Sequence, residues 1–201
     1  MRDLVFAFGA SVLIVFSAAS AREFLNNSSD PTLKEPILEE TDFGFAPSFK
    51  FVDQTGQTFS SDSIKGPWLF NVFFTRCNGP CPMTLQNLMN LSEELGGDHP
   101  LQIISLSVDP DYDSSEKLQE YAKANNLKLP RWRFLSGKLD DVNSVIENGF
   151  KLGAMDDPRM HTTRVVLVDS ENKIRSYALG AESDNYENLL EKVRREYNQP
   201  D

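Results

Sequence analysis

Apolar and polar positions follow two periods along this chain, and the places where the period changes mark its elements. Ser48-Phe49-Lys50-Phe51-Val52 alternates like a strand, Asp53 to Gln57 has turn chemistry, and Thr58-Phe59 returns, which predicts a short hairpin. Gly66-Pro67 breaks the chain before Trp68 to Phe74, a continuous apolar, β-prone run that predicts a buried strand. The pattern then switches. Met83, Leu85, Leu88, Met89, Leu91 and Leu95 fall at helical spacings, predicting a helix from about Pro82 to Leu95 that stops at Gly96-Gly97. Leu101 to Val108 is a second buried-type strand ending at Asp109-Pro110. Asp113 with Glu116 resembles a capping box and opens a helix through Ala124. Pro130 resets the chain ahead of a short strand, Trp132 to Leu135, and Leu139, Val142, Val145 and Ile146 mark a helix ending at Gly149. Thr163 to Asp169 and Ile174 to Leu179 form a closing hairpin, and Asn185 to Tyr197 carries Leu189, Leu190 and Val193 on one helical face.

Strands that alternate with helices and finish in a hairpin and a helix predict an α/β, three-layer domain with an N-terminal hairpin. The order, with both cysteines at the end of the first central strand, is a thioredoxin-like layout. Fold alone assigns no function. Residues 45–201 are expected to form this domain, and residues 22–44, polar and broken by Pro31 and Pro36, read as a linker.

The first 21 residues stand apart. Leu4 to Ala19 is uncharged and mostly apolar, and Ala19-Ser20-Ala21 fits a small-x-small cleavage site, so residues 1–21 read as a signal peptide or a retained membrane anchor. Either one exports the domain, to the periplasm or the outer face of the inner membrane, or to the intermembrane space of a mitochondrion. The two cysteines lie far from this segment, which argues against a lipoprotein anchor. The net charge of -10 argues against nucleic acid and against docking on anionic lipid through a basic patch.

Export changes how Cys77 and Cys81, the only two cysteines, are read. An even count in an oxidising compartment usually means structural disulfides. A bridge closing so small a loop gains little chain entropy, and a domain this large and rich in Phe has core enough without a staple, which favours a functional pair. Strand, cysteine turn and helix place a thiol at a helix N-terminus, where amides and dipole favour the thiolate, the form that binds soft metals and attacks disulfides.

Two histidines complete the soft and borderline ligand set. His99 reads as a surface turn residue. His161 precedes the Thr163 strand, and in a thioredoxin-like sheet the loop before that strand faces the cysteine turn. Two thiolates with one imidazole suit one copper ion, Cu(I) through the sulfurs and Cu(II) with the nitrogen. Structural zinc wants four protein ligands. Met83, Met155 and Met160 are candidate thioethers but fit gap-filling core equally. Arg76, beside Cys77, reads as solvated, and Pro82 as helix initiation.

At this point four stretches in order resemble the Sco/SenC family of copper chaperones involved in assembling cytochrome c oxidase. Phe73-Phe74-Thr75-Arg76-Cys77-Asn78-Gly79-Pro80-Cys81-Pro82-Met83 is similar to the family's aromatic-Thr-x-Cys-x-x-x-Cys-Pro motif, and Ser105 to Asp113 to its Ser-Val-Asp-Pro-x-x-Asp segment. Trp132 to Gly137 resembles the stretch before its third helix, and His161 matches its ligand histidine. The resemblance implies a thioredoxin-like fold in which Cys77, Cys81 and His161 bind one copper ion; a monomer is expected, though the sequence does not fix the oligomeric state. The resemblance also implies a chaperone that delivers the ion to the binuclear copper site of oxidase subunit II, with membrane anchorage common. Two features depart from the pattern: Asn78-Gly79-Pro80 stands where the family often has Pro-Asp-Val, and residues 155–160 match poorly. The competing reading is an enzyme, a thiol-disulfide oxidoreductase cycling Cys77 and Cys81. The C-x-x-x-C spacing, and Thr162-Thr163 where thioredoxins place a proline, weigh against a general one. A peroxidase or a purely structural disulfide domain fits less well.

Overall fold

The computed structural model describes residues 42–96, 99–127, 131–153 and 163–198, the side chains of 183–186 and 198 excepted. The segments read as a leader (1–21) and as a linker up to residue 41, together with His161, Met155 and Met160, lie outside the described residues. In chain order the elements are β1 (Lys50–Asp53), β2 (Thr58–Ser60), β3 (Trp68–Phe73), α1 (Cys81–Glu94), β4 (Gln102–Ser107), α2 (Ser115–Ala124) and β5 (Trp132–Ser136), then α3 (Leu139–Ser144), β6 (Arg164–Val168), β7 (Ile174–Leu179) and α4 (Ser183–Asn198).

The sheet order is β2-β1-β5-β4-β3-β6-β7. β3 runs parallel to β4, from Trp68 opposite Gln102 to Phe73 opposite Ser107, and antiparallel to β6 with Asn71 opposite Val165. This central position explains why every residue of β3 is buried and why its sequence lacks alternation. The β1–β2 hairpin extends the sheet by pairing β1 antiparallel with β5, Val52 opposite Ser136.

The two faces of β3 are packed differently. Trp68 and Phe70 meet Phe49 and Phe150, with Phe70 and Phe150 stacked at 3.9 Å. On the other face Phe73 packs against Tyr121 of α2 and Phe134 of β5, and α1 lies alongside with Cys81, Thr84, Leu88 and Leu91 buried. Helices above and below one sheet give the three-layer, thioredoxin-like fold.

Two helix starts and stops differ from the sequence pattern. α2 is capped by Ser114, whose hydroxyl accepts from Lys117 N–H, and Asp113 is fully buried instead of capping. The Asp-x-x-Glu spacing matched a capping box, but a carboxylate one residue earlier is within reach of the neighbouring strand's loop and is used there. The third helix ends as a π turn over Val145–Gly149, in which Phe150 N–H donates to Val145 O. The wide turn carries Phe150 into the core, and Gly149 passes so close to Pro47 that a Cβ would lie 2.5 Å from the ring.

Candidate functional site

β3 delivers the chain from the middle of the sheet into a tight turn. Phe74 O accepts from Cys77 N–H at 3.2 Å, and Pro80 O accepts from Met83 and Thr84 N–H, which starts α1 at Cys81 with no side-chain cap. Pro82 stands at the second helical position, where a missing amide costs nothing.

The turn is braced from the loop between β4 and α2. The Asp113 carboxylate accepts from Thr75 N–H at 3.1 Å, from the Thr75 hydroxyl and from the Ser107 hydroxyl, each at 2.5 Å. The Ser107 hydroxyl in turn accepts from Asp109 N–H. Arg76 Nε donates to Asp109 at 2.6 Å, and its guanidinium lies 4.6 Å over the Tyr112 ring. Arg76 is exposed but not merely solvated, contrary to the sequence reading. The two motifs read separately along the chain, Thr75-x-Cys77 and Ser107 to Asp113, are one hydrogen-bonded unit.

The cysteines are not joined in a disulfide; Cys77 is half-buried and Cys81 buried, with a hydrogen bond between the two thiols. Burial pushes the Cys81 thiol up, and the Cys77 sulfur beside it adds to the effect, while the backbone amides of Phe74 and Cys81 pull the other way. The helix-start amide of Cys81 therefore acts as the sequence predicts, joined by that of Phe74 at the strand end, but both lose to desolvation at Cys81. Burial likewise pushes the Tyr121 phenol up to about 12, helped by the two sulfurs.

Beneath Cys81 the sheet is polar. The Ser105 hydroxyl donates to Asn71 Oδ1 at 2.7 Å and accepts from Trp132 Nε1 at 2.9 Å, a chain of side chains across three strands. Asn71 and Ser105, with Thr84, Tyr121 and Cys81, line a cavity of about 10 Å3, roughly the least space that holds one water. The Thr84 hydroxyl is buried with no protein partner.

Of the remaining candidates, His99 is partly buried, with Nδ1 accepting from Leu101 N–H and the ring edge-on to Tyr197 at 4.1 Å. It is not the free surface residue expected, because α4 packs back over its turn. Met83 is 56% exposed. Among the described residues no three His, Cys, Asp or Glu side chains cluster as a metal site, and no helix is long and apolar enough to cross a membrane. β6 begins with Arg164 at the end of the sheet to which β3 delivers the cysteines, since Asn71 pairs with Val165 in antiparallel register. Gly180, which follows β7, was not singled out in the sequence. Its carbonyl accepts from Asn87 of α1 at 2.8 Å.

A thioredoxin-like domain with two neighbouring thiols at the start of its first helix is the class that fold and site define. The SCO1/SenC family model matches residues 39–198, and the chain belongs to that family. It is 27% identical over 178 residues to the SCO1 protein homolog of Bacillus subtilis, covering 85% of this chain and 90% of the relative. Among solved structures it resembles BsSco, described as a member of the Sco family of cytochrome c oxidase assembly proteins with a disulfide switch. That match has a TM-score of 0.71 and 25% identity, over 80% of this chain and 98% of the other. It shares the fold of copper-bound ScoI from Bradyrhizobium japonicum at a TM-score of 0.60 and 22% identity, over 76% of this chain and 99% of that one.

Proposed function

We propose that this protein is an exported metallochaperone that binds one copper ion through Cys77, Cys81 and His161 and passes it on by ligand exchange. The recipient is a respiratory oxidase, at the binuclear copper site of cytochrome c oxidase subunit II. The observation that carries the reading is the pair of hydrogen-bonded thiols in a turn braced by Asp113. Two convergent sulfurs suit Cu(I), and adding the imidazole suits Cu(II). Preorganisation by the brace lowers the cost of gathering the ligands. Half-exposure of Cys77 offers an acceptor one sulfur to approach first, so that ligands are traded one at a time while Cys81 stays shielded.

Family membership, and the oxidase assembly role described for BsSco, support the recipient class. Asn78-Gly79-Pro80 puts no acidic side chain between the cysteines, so recipient recognition rests on other parts of the surface. The second reading, a thiol-disulfide oxidoreductase, is favoured by the contact between the sulfurs. Oxidation of the pair would form the Cys77–Cys81 bond and pass two electrons and two protons to a partner disulfide, reducing it.

An anaerobic copper titration of the reduced protein, beside Cys77→Ser, Cys81→Ser and His161→Ala, decides between them. One equivalent bound tightly, with thiolate-to-Cu(II) absorption that depends on all three residues, is the expected result. No stoichiometric copper together with a readily exchanged disulfide would move the assignment to the reductase.

A further inference from the structure

Gly180 is wedged between the cysteine helix and the head of β6. Its N–H donates to Thr163 O at 2.8 Å, and its carbonyl accepts from Asn87 Nδ2 at 2.8 Å. A Cβ built at this position would meet Thr84 Cγ2 at 2.6 Å, Val165 Cγ2 at 2.7 Å and Thr163 O at 3.0 Å. None of these is the loose end of a flexible side chain. Thr84 and Val165 are β-branched and buried, and the third contact is backbone. Thr84 lies one helical turn after Cys81, and Thr163 lies two residues after His161 in sequence. The backbone here is not in the left-handed region, so the demand for glycine is one of space rather than of conformation.

We infer that Gly180 is a positioning residue. It fixes how closely the cysteine-bearing turn of α1 sits to the head of β6, and so sets the geometry in which sulfur and imidazole meet one ion. Asn87 latches the same contact from the helix side. The inference rests on the three-ligand reading above. The relation of Cys77 to Cys81 lies within one turn and does not pass through Gly180, so the two properties separate.

The test compares Gly180→Ala with the unaltered full chain in Cu(II) affinity, thiolate-to-Cu(II) absorption and the reduction midpoint of the Cys77–Cys81 disulfide. The expected result is Cu(II) binding weakened about 10–100-fold, the range for residues that orient ligands without touching metal. The absorption band should shift and the disulfide midpoint should not. Thr84→Ser, which deletes the methyl nearest the new Cβ, should restore part of the affinity in the Gly180→Ala background. Wild-type Cu(II) affinity and spectrum in Gly180→Ala, with His161→Ala impaired, would overturn the spacer role and leave the copper site standing. Unchanged binding in His161→Ala would sink the three-ligand reading and this inference with it. If Gly180→Ala does not fold, Asn87→Ala, which removes only the latch, decides: wild-type Cu(II) affinity there overturns the inference.

Discussion

The two faces of β3 come from one six-residue strand, Trp-Leu-Phe-Asn-Val-Phe, yet they do different work. One face is dry and aromatic: Trp68 and Phe70 against Phe49 and Phe150. The other carries Asn71, bonded through Ser105 to Trp132, beneath the buried Cys81. Area and packing hold the first, while on the second directed hydrogen bonds add to the packing of Phe73 against Tyr121 and Phe134. An apolar face tolerates small displacements with graded loss, whereas a polar network fixes position because an unpaired buried group is costly. The strand thus anchors the domain on one side and aims the cysteine turn from the other.

The largest expected effect breaks the aromatic face. Phe150→Ala removes a fully buried ring stacked on Phe70 and should cost about 3–5 kcal/mol of stability, read from denaturant unfolding. Copper binding by the fraction that remains folded should be unaltered. Loss of the copper spectrum in folded Phe150→Ala would erase the distinction between the faces.

Next comes the brace above the polar face. Asp113→Asn keeps the size of a side chain that accepts from Thr75 twice and from Ser107 once, but removes the charge that strengthens those bonds. The expected loss is about 1.5–3 kcal/mol, with faster alkylation of Cys77 as its turn loosens. An unchanged alkylation rate would mean that the brace stabilises the fold without positioning the thiol. Ser105→Ala should follow at about 1–3 kcal/mol, since it strands Asn71 Oδ1 and Trp132 Nε1. Calorimetry of the variant measures it, and a neutral result would show that water takes over both bonds.

Periodicity made the elements legible and left the long-range contacts hidden. The bounds of β7, Ile174–Leu179, match the apolar pattern, β3 ends one residue before the expected Phe74, and α1 is offset by one residue at each end. Cys77 and Cys81 stood out because thiols are scarce and their turn joins a buried strand to an amphipathic helix. Asp113 was misread because a capping spacing is local, while its partners Thr75 and Ser107 come from two other parts of the chain. The π turn leaves no trace in a helical pattern, since its extra residue is bonded through the backbone. Gly180 was invisible for a related reason: its need for space arises where α1, β6 and the end of β7 converge. Burial at Cys81 belongs to the same class, and it reversed an expectation drawn from the helix start alone.

The smallest effect sharpens the comparison away from the site, at the far end of α1. Burial and the neighbouring Arg131 hold the His99 imidazole below its ordinary value of 6.5, so the folded state prefers the neutral ring. Nδ1 accepts from Leu101 N–H, which also requires an unprotonated nitrogen. The unfolded chain takes up a proton first as pH falls. The contribution of His99 is therefore complete above about 6.5 and is lost as pH falls through that value toward the lower folded one. Denaturant unfolding at about pH 7.5 and pH 5 should show wild type losing more stability than His99→Phe, which keeps a ring against Tyr197 but cannot be protonated. The disulfide midpoint and copper spectrum of His99→Phe should match wild type at pH 7.5, because this ring belongs to the packing of α4 and not to the polar face. Identical pH slopes in the two proteins would remove His99 from the account. A changed copper spectrum would mean that the packing of α4 reaches the cysteine turn after all.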